Sequence, residues 1–256
     1  MASPLWIDLQ GAVNVRDLGG LPTTTGQTTR PGVLVRSDAV HELTEADVAT
    51  LTGTIGVRHI VDLRAPGERA EQGRGRLGQS GVTYSELDVL TDEMIVERRR
   101  VREAALAAGN ADVATLMADG YSQLLELGRK AFVTALERIA APGGAPALIH
   151  CSAGKDRTGV LVALLLDAAG VERATIIADY AATEQRIALV HARLSTMPAF
   201  AELAANATAG TLNAHAATME QFLDRLHGQS GGAEPWFRAG GASQEVLATW
   251  REKVLR

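Results

Sequence analysis

A four-residue apolar run, ALIH at 147–150, leads through the polar segment CSAGKDRT into the apolar stretch GVLVALLL at 159–166. The first run has the length of a buried β-strand, and the second continues as a helix that is apolar on all sides. The breaker segment PGGAP at 142–146 separates this unit from what precedes it. A strand and a helix of this kind must both lie in the interior of a domain, which favours a sheet covered by helices.

Similar short apolar runs alternate with helical patterns along the chain. The patterns predict strands at 33–37, 57–63, 82–89 and 147–150, and helices at 121–140, 157–169, 172–195, 211–227 and 243–255. The segment LTEADVATL between the first two strands has helical spacing, with Thr44 as the N-cap and Asp47 three residues later. This alternation predicts an α/β domain with a central, largely parallel sheet flanked by helices.

The domain organisation follows from the lack of low-complexity linkers and internal repeats, so residues 1–256 are expected to form one domain. Residues 91–120 are helix-prone and carry the arginine-rich segment ERRRVRE. They are interpreted either as a solvated helix face or as a helical lid whose arginines meet an anionic substrate or membrane surface. Residues 211–256 are expected to form C-terminal helices, with a breaker-rich loop at 228–241.

Composition excludes several classes of protein. A net charge of -5 without a basic tail argues against a nucleic-acid partner. One cysteine excludes an internal disulfide, and the scattered histidines lack ligand spacing, so no metal is expected. No apolar run reaches the roughly 18 residues of a transmembrane segment. The N-terminus has no classical signal peptide, which predicts a cytoplasmic protein and leaves export by another route open.

The segment HCSAGKDRTG at 150–159 places the single cysteine, Cys151, just before a predicted helix N-terminus and Arg157 six positions later. The unpaired amides and the positive dipole end of such a terminus stabilise an anion, and Gly154 lets successive amides converge. The thiol of Cys151 would lose its proton more readily there and become a nucleophile, while Arg157 offers a planar fork for phosphate oxygens. The alternative is that Cys151 is only a small buried apolar residue.

These residues match the signature of the protein-tyrosine phosphatase superfamily, His-Cys-x5-Arg followed by Ser or Thr. Together with NVRDLGGLP at 14–22, VRSDAV at 35–40 and IVDLRAPGE at 60–68, the segment resembles the bacterial tyrosine and dual-specificity branch typified by the secreted mycobacterial enzyme. The resemblance implies a phosphatase that hydrolyses phosphotyrosine through a phosphocysteine intermediate and needs no metal or other cofactor. Phosphoserine, phosphothreonine and phosphoinositides are further substrates that it allows.

The resemblance also implies roles for individual residues. Cys151 would attack phosphorus and Arg157 would hold the phosphoryl oxygens. Thr158 would hydrogen-bond the departing thiolate, and His150 would order the loop from behind. The expected phosphate-binding loop consists of Ser152, Ala153, Gly154, Lys155, Asp156 and Arg157.

The general acid is a separate question, because no Trp-Pro-Asp segment occurs in the chain. Asp156 inside the loop is predicted to be the acid, with a role in orienting Arg157 as the alternative. Asp62, at the end of a predicted strand, is the second candidate for the general acid. The alternative is that Asp62 is only a buried carboxylate that forms hydrogen bonds. Lys155 is interpreted either as a solvated surface charge or as a cation for the extra phosphates of a phosphoinositide.

Two N-terminal segments each contain an arginine and an aspartate, Arg16 with Asp17 and Arg36 with Asp38. They are predicted to form a buried ion-pair lattice beside the loop.

Two other functions remain open from the sequence alone. A sulfurtransferase of the rhodanese type also carries a loop cysteine at a helix start. A non-catalytic phosphate-binding module would share the loop, although Cys151 and Arg157 are both present.

Overall fold

The computed structural model describes residues 3–109, 112–197 and 213–256. Among these residues, one sheet contains the strands β1 (Leu5–Trp6), β2 (Arg16–Asp17), β3 (Leu34–Ser37), β4 (His59–Asp62), β5 (Thr83–Glu86) and β6 (Ala147–His150). The strand order is β1-β2-β3-β6-β4-β5. The last four are parallel to one another, whereas β1 and β2 add an antiparallel edge. The expected α/β fold with a largely parallel sheet is confirmed.

The described helices are α1 (Glu45–Ala49), α2 (Pro66–Gln72), α3 (Asp92–Ala107), α4 (Val113–Leu127), α5 (Arg129–Ala140), α6 (Asp156–Ala168), α7 (Arg173–Ala182), α8 (Ile187–Thr196), α9 (Ala216–Ser230), α10 (Ala233–Ala239) and α11 (Gln244–Val254). A π-helical turn, Thr50–Ile55, follows α1, and 3-10 turns occupy Gly75–Gln79 and Thr183–Arg186. Thr44 caps α1 in a capping box with Asp47, as its sequence predicts. None of the described helices is long and apolar enough to cross a bilayer.

The core lies on both faces of the sheet, because the central strands β3, β4 and β6 are buried throughout. Alternate residues point to opposite sides, so Ile149 joins the cluster formed with α4, α5 and α6, and Leu148 joins the cluster beneath α1. Helix α6 is buried on nearly all sides, and Trp250 of α11 donates its indole N–H to the carbonyl of Leu165 at 2.9 Å. The N-terminus of α6 is therefore held rigidly at the carboxyl end of β6.

Three helix predictions and one loop prediction need correction. The predicted helix 121–140 is two helices, because Gly128 interrupts it where a Cβ would lie 2.7 Å from Val89 Cγ1. The predicted helix 172–195 is divided into α7 and α8 by a 3-10 turn. The predicted loop 228–241 contains helix α10 between its glycines. The predicted helix 211–227 begins at Ala216 as α9, and its positions 211–212 lie outside the described residues.

The arginine-rich segment 91–120 forms α3 and the first half of α4, apart from 110–111, which lie outside the described residues. Helix α3 has no buried residue, and its main packing contacts among the described elements are with α2 and α4. That this segment moves as a lid stays a prediction.

Candidate active site

The loop that joins β6 to α6 is buried and tightly curved. Cys151 is a free cysteine with 2 % of its surface exposed. Gly154 has a φ of +66°, and a Cβ there would lie 2.5 Å from the carbonyl oxygen of Ser37. Glycine is therefore required at position 154 both by the backbone conformation and by the close approach of β3.

Three carbonyl groups of this loop accept hydrogen bonds from residues that lie outside the loop and far from it in sequence. The bonds run from the Ala39 amide to Ser152 O (3.1 Å), from Asn14 Nδ2 to Ala153 O (3.1 Å) and from Arg36 Nη2 to Gly154 O (2.7 Å). In a trans peptide the carbonyl and the following amide point in opposite directions. The amides of Ala153, Gly154 and Lys155 therefore point into the loop, and successive inward amides bind an anion.

Arg157 is held on one edge by Glu68 of α2. Its Nη1 donates to Glu68 Oε2 and to the Leu63 carbonyl (3.2 Å), and its Nη2 donates to Glu68 Oε1 at 2.9 Å. A guanidinium has five N–H donors in one plane. The edge formed by Nε and the second hydrogen of Nη2 is thus left for two oxygens of a phosphoryl group.

The pKa values of this pair show how strongly it is coupled. Burial alone would raise the pKa of Glu68, but the charge and hydrogen bonds of Arg157 and the hydroxyl of Ser152 lower it to about 2. Burial alone would lower the pKa of Arg157, and the charge of Glu68 raises it above its ordinary value. Glu68 lies inside IVDLRAPGE, but its role could not be assigned from the sequence because its partner lies 89 residues away.

Asp156 lies at the first turn of α6, where its side chain remains 37 % exposed. The hydroxyl of Tyr121 donates to Asp156 Oδ1 at 2.6 Å, and the Tyr180 hydroxyl lies 2.7 Å from that of Tyr121. Burial would raise the pKa of Asp156, but the Lys155 charge and the Tyr121 hydrogen bond lower it below its ordinary value. The carboxylate is thus oriented by two tyrosines that the sequence analysis did not identify.

Asp62 is fully buried beneath the loop, where it forms an ion pair with Arg64 at 2.6 Å. Against the effect of burial, the charge that His150 carries below its own pKa, together with the hydrogen bonds and charge of Arg64, lowers the pKa of Asp62 to about 2. Burial lowers the pKa of His150 to about 4, so its ring is neutral at pH 7, and its Nδ1 lies 3.2 Å from the Cys151 carbonyl. This geometry favours a structural role for Asp62 and places His150 behind the loop.

Comparison with known proteins decides which class of enzyme uses this geometry. A model of the tyrosine phosphatase family matches residues 7–256. The chain belongs to the tyrosine phosphatase family. It is 32 % identical to the triple specificity protein phosphatase PtpB of Mycobacterium tuberculosis, over 97 % of this chain and 98 % of that protein. It is 29 % identical to the tyrosine-protein phosphatase of Nostoc commune, over 83 % of this chain and 71 % of the relative.

The resemblance to the bacterial tyrosine phosphatase branch is therefore confirmed, and the chain is a phosphatase enzyme. Neither the sulfurtransferase nor the non-catalytic phosphate-binding module finds support. Among the described residues of this phosphatase, no group of three or more His, Cys, Asp or Glu side chains is placed to hold a metal ion.

Lys155 of the loop and Thr158 of α6 are also buried. Lys155 is 3 % exposed, and its Nζ lies 3.3 Å from the Asn213 carbonyl and 3.5 Å from Asp156 Oδ1. The interpretation of Lys155 as a solvated surface charge is therefore wrong. Thr158 is fully buried, and its hydroxyl makes no hydrogen bond to the parts of the chain that the structure describes.

The N-terminal ion-pair lattice exists, but its carboxylate is not the predicted one. Arg16 and Arg36 are both buried and share Asp179 of α7, at 2.8 Å and 2.6 Å. Asp17 accepts instead from the amides of Gly19 and Gly32, and Asp38 accepts from the amides of Val13 and Asn14 and pairs with Arg193. The lattice orients Arg36, which holds the Gly154 carbonyl away from the anion site.

The loop of the phosphatase opens into a cavity of about 360 Å³ between α3, α4 and the start of α6. Asp156 and Arg157 form its floor, Tyr121 lies on one wall, and the side chains of Arg98 and Arg102 also line it. The cavity therefore connects the anion site with the arginine-rich helix.

The low pKa of Glu68 predicts that the fold loses stability in acid. The pKa of Glu68 is about 2 in the folded chain against 4.5 ordinarily, so the unfolded state binds more protons at this group, and the contribution of Glu68 to stability is complete only above pH 4.5. His150, whose pKa is lowered from 6.5 to about 4, adds a separate loss of stability that already begins near pH 6.5. We expect the free energy of unfolding, measured with urea, to fall as the pH decreases from 4.5 towards 2. Asp62 adds to the loss below its ordinary pKa of 3.8. In Glu68→Gln the decline between pH 4.5 and 3.8 should be shallower, and an unchanged slope would assign the acid lability to other groups.

Proposed function

We propose that this phosphatase hydrolyses phosphotyrosine in proteins through a covalent phosphocysteine intermediate formed on Cys151. The observation that carries the proposal is the loop whose carbonyls accept hydrogen bonds from outside, so that its inward amides and the remaining edge of Arg157 face one site for an anion. Release of inorganic phosphate from a phosphotyrosine peptide, in the presence of a chelator, tests the proposal together with detection of the acid-quenched phosphoenzyme. No phosphate release would refute it.

In the first step the Cys151 thiolate attacks phosphorus, and a sulfur–phosphorus bond forms as the bond to the tyrosyl oxygen breaks. Asp156 transfers its proton to that oxygen, so that a neutral phenol leaves. The loop amides and the fork of Arg157 bind the three non-bridging oxygens, over which the negative charge is spread in the transition state.

In the second step water attacks phosphorus, and the ionised Asp156 accepts its proton. The sulfur–phosphorus bond breaks, inorganic phosphate is formed and the thiolate is regenerated. The buried hydroxyl of Thr158, which has no acceptor among the described residues, is suited to donate a hydrogen bond to this thiolate.

The acid role of Asp156 requires that substrate binding restores its proton. In the ligand-free protein the pKa of Asp156 is below its ordinary value because nearby cations and Tyr121 stabilise the carboxylate. A doubly negative phosphoryl group in the loop opposes that ionisation and neutralises the cations, so it raises the pKa of the same carboxyl.

The substrate range extends beyond phosphotyrosine in this proposal. The Mycobacterium tuberculosis relative is named a triple specificity phosphatase, and it aligns with nearly the whole chain. We therefore include phosphoserine, phosphothreonine and phosphoinositides as substrates, with the buried ammonium of Lys155 adding positive charge beside Asp156.

Replacing Asp156 by asparagine should slow substrates with poor leaving groups far more than those with good ones. A poor leaving group needs the proton, whereas a phenol of low pKa departs without it, so we expect losses of roughly 100-fold and less than tenfold respectively. A series of aryl phosphates of graded leaving-group pKa measures this as kcat. The control is Asp119→Asn, an exposed carboxylate on the same cavity. Equal losses across the series would remove the acid role from Asp156.

A further inference from the structure

Helix α3 carries two kinds of arginine. Arg99 pairs with Glu103 at 2.8 Å and Arg100 pairs with Glu97 at 2.8 Å. Both partners lie three or four residues away on the same helix, where oppositely charged side chains meet and stabilise it. These two arginines therefore need no function beyond the helix itself.

Arg98 and Arg102 have no such partner. Their hydrogen bonds within residues 3–109, 112–197 and 213–256 go to an amide oxygen, a carbonyl and a sulfur and not to a carboxylate, although the charge of Asp156 interacts with both arginines. They are four residues apart, so they are neighbours of like charge on one helix face, an arrangement that destabilises a helix. The other positions three or four residues from Arg98 or Arg102 hold no acidic residue. They are Met94, Ile95, Arg99, Val101, Ala105 and Leu106. The helix thus tolerates an unfavourable cationic pair on the side that lines the cavity.

The contacts of the two guanidinium groups differ. Arg98 is anchored to α4, where Nη1 donates to Gln123 Oε1 at 2.7 Å and Nη2 donates to the Gly120 carbonyl at 2.8 Å. Arg102 donates from Nη1 to the sulfur of Met117 at 3.9 Å, and its Nε is buried without a hydrogen-bond partner among the described residues. The charge of Arg102 also acts on Asp156, where it helps to lower the pKa of that carboxyl. A buried N–H of a charged guanidinium that has no acceptor is costly unless an anion binds to it.

The cavity joins these arginines to the phosphoryl site. Its lining combines apolar side chains, among them Leu90, Met117 and Leu124, with polar ones such as Asp119 and Gln123, and Asp156 and Arg157 also line it. The apolar side chains suit the aromatic ring of phosphotyrosine. We therefore take a phosphotyrosine peptide as the ligand that reaches Arg98 and Arg102.

We propose that Arg98 and Arg102 form a second anion subsite, which binds a carboxylate or phosphate on a residue adjacent to the phosphotyrosine. This inference deepens the proposed function and depends on it. Peptides with acidic or phosphorylated flanking residues are then the preferred substrates of the phosphatase.

The test compares kcat/KM for three phosphotyrosine peptides that differ only in flanking residues, which are glutamine, glutamate or phosphoserine. If each anionic peptide gains one hydrogen bond to a charged group, its kcat/KM should exceed that of the neutral peptide by roughly tenfold. In Arg102→Gln this preference should fall to about twofold or less, mainly through KM, since the lost interaction binds substrate and transition state alike. The matched control is Arg100→Gln, which lies two residues away and should keep the wild-type preference.

Three outcomes overturn the subsite. The wild type could hydrolyse all three peptides equally, or Arg102→Gln could keep the preference. Arg102→Gln could also selectively slow a bisphosphorylated inositol lipid relative to a monophosphorylated one while the peptide preference stays, which would assign the subsite to lipids. Hydrolysis of p-nitrophenyl phosphate separates these failures from a failure of the proposed function, in which the wild type would hydrolyse neither this compound nor any peptide.

Discussion

Replacing Cys151 by serine should lower kcat for phosphotyrosine by on the order of 10⁴-fold or more. A serine hydroxyl is a weak nucleophile unless a neighbouring base removes its proton. The nearest imidazole, His150, lies behind the loop with its Nδ1 on the Cys151 carbonyl, so it cannot act as that base. The inward amides and Arg157 do not depend on the thiol, and the variant should therefore still bind phosphate.

Steady-state hydrolysis and isothermal titration with inorganic phosphate measure the two halves of this expectation. Acid quenching of the wild type with a labelled substrate should trap phosphoenzyme, and the same procedure should trap none in Cys151→Ser. The variant Cys151→Ala is the matched control, because it lacks any nucleophile and should be equally inactive. Turnover of Cys151→Ser within tenfold of the wild type would exclude the covalent mechanism.

Replacing Arg157 by lysine should lower kcat by roughly 10³-fold, as expected when a preorganised donor to the transition state is lost. Lysine keeps the positive charge, but its ammonium group is not a planar fork with two hydrogen-bonding edges. It cannot bind both oxygens of Glu68 and at the same time donate two parallel hydrogen bonds to the phosphoryl group. The loss should therefore appear in kcat more than in KM.

The variant Glu68→Gln distinguishes the effect of the orientation of Arg157 from the effect of its charge. It retains the guanidinium and removes the anion that orients it, so we expect a loss of about tenfold in kcat/KM together with a lower melting temperature. Hydrolysis of p-nitrophenyl phosphate and thermal unfolding measure both variants. If Arg157→Lys kept activity within tenfold of the wild type, the bidentate role of Arg157 would be wrong.

The loop itself could be predicted because its determinants are local. An apolar strand, a glycine and a buried helix follow one another within 147–166, and the structure places β6, the curved loop and α6 in that order. The strand prediction worked for β3, β4, β5 and β6 for the same reason. The two-residue strands β1 and β2 could not be predicted, because they are too short to show an alternating pattern.

The surroundings of the loop could not be predicted, because they come from segments far apart in the chain. The sequence placed arginine and aspartate side by side in NVRDLGG and VRSDAV, but Arg16 and Arg36 bind Asp179 on α7 instead. Tyr121 lies 35 residues before Asp156, and neither spacing nor composition links the two. Which carboxylate meets which arginine depends on how the helices pack.

The sequence by itself determined the reactive groups and the turn that presents them, since a strand, a glycine turn and a helix start need only neighbouring residues. The tertiary structure decided the orientation of those groups: Glu68 determines which edge of Arg157 is free, and Asn14 and Arg36 turn the loop carbonyls outward. The reason is that a buried charge or polar group needs a hydrogen-bond partner within about 3 Å. Only folding brings residues that are distant in sequence to within that distance of each other.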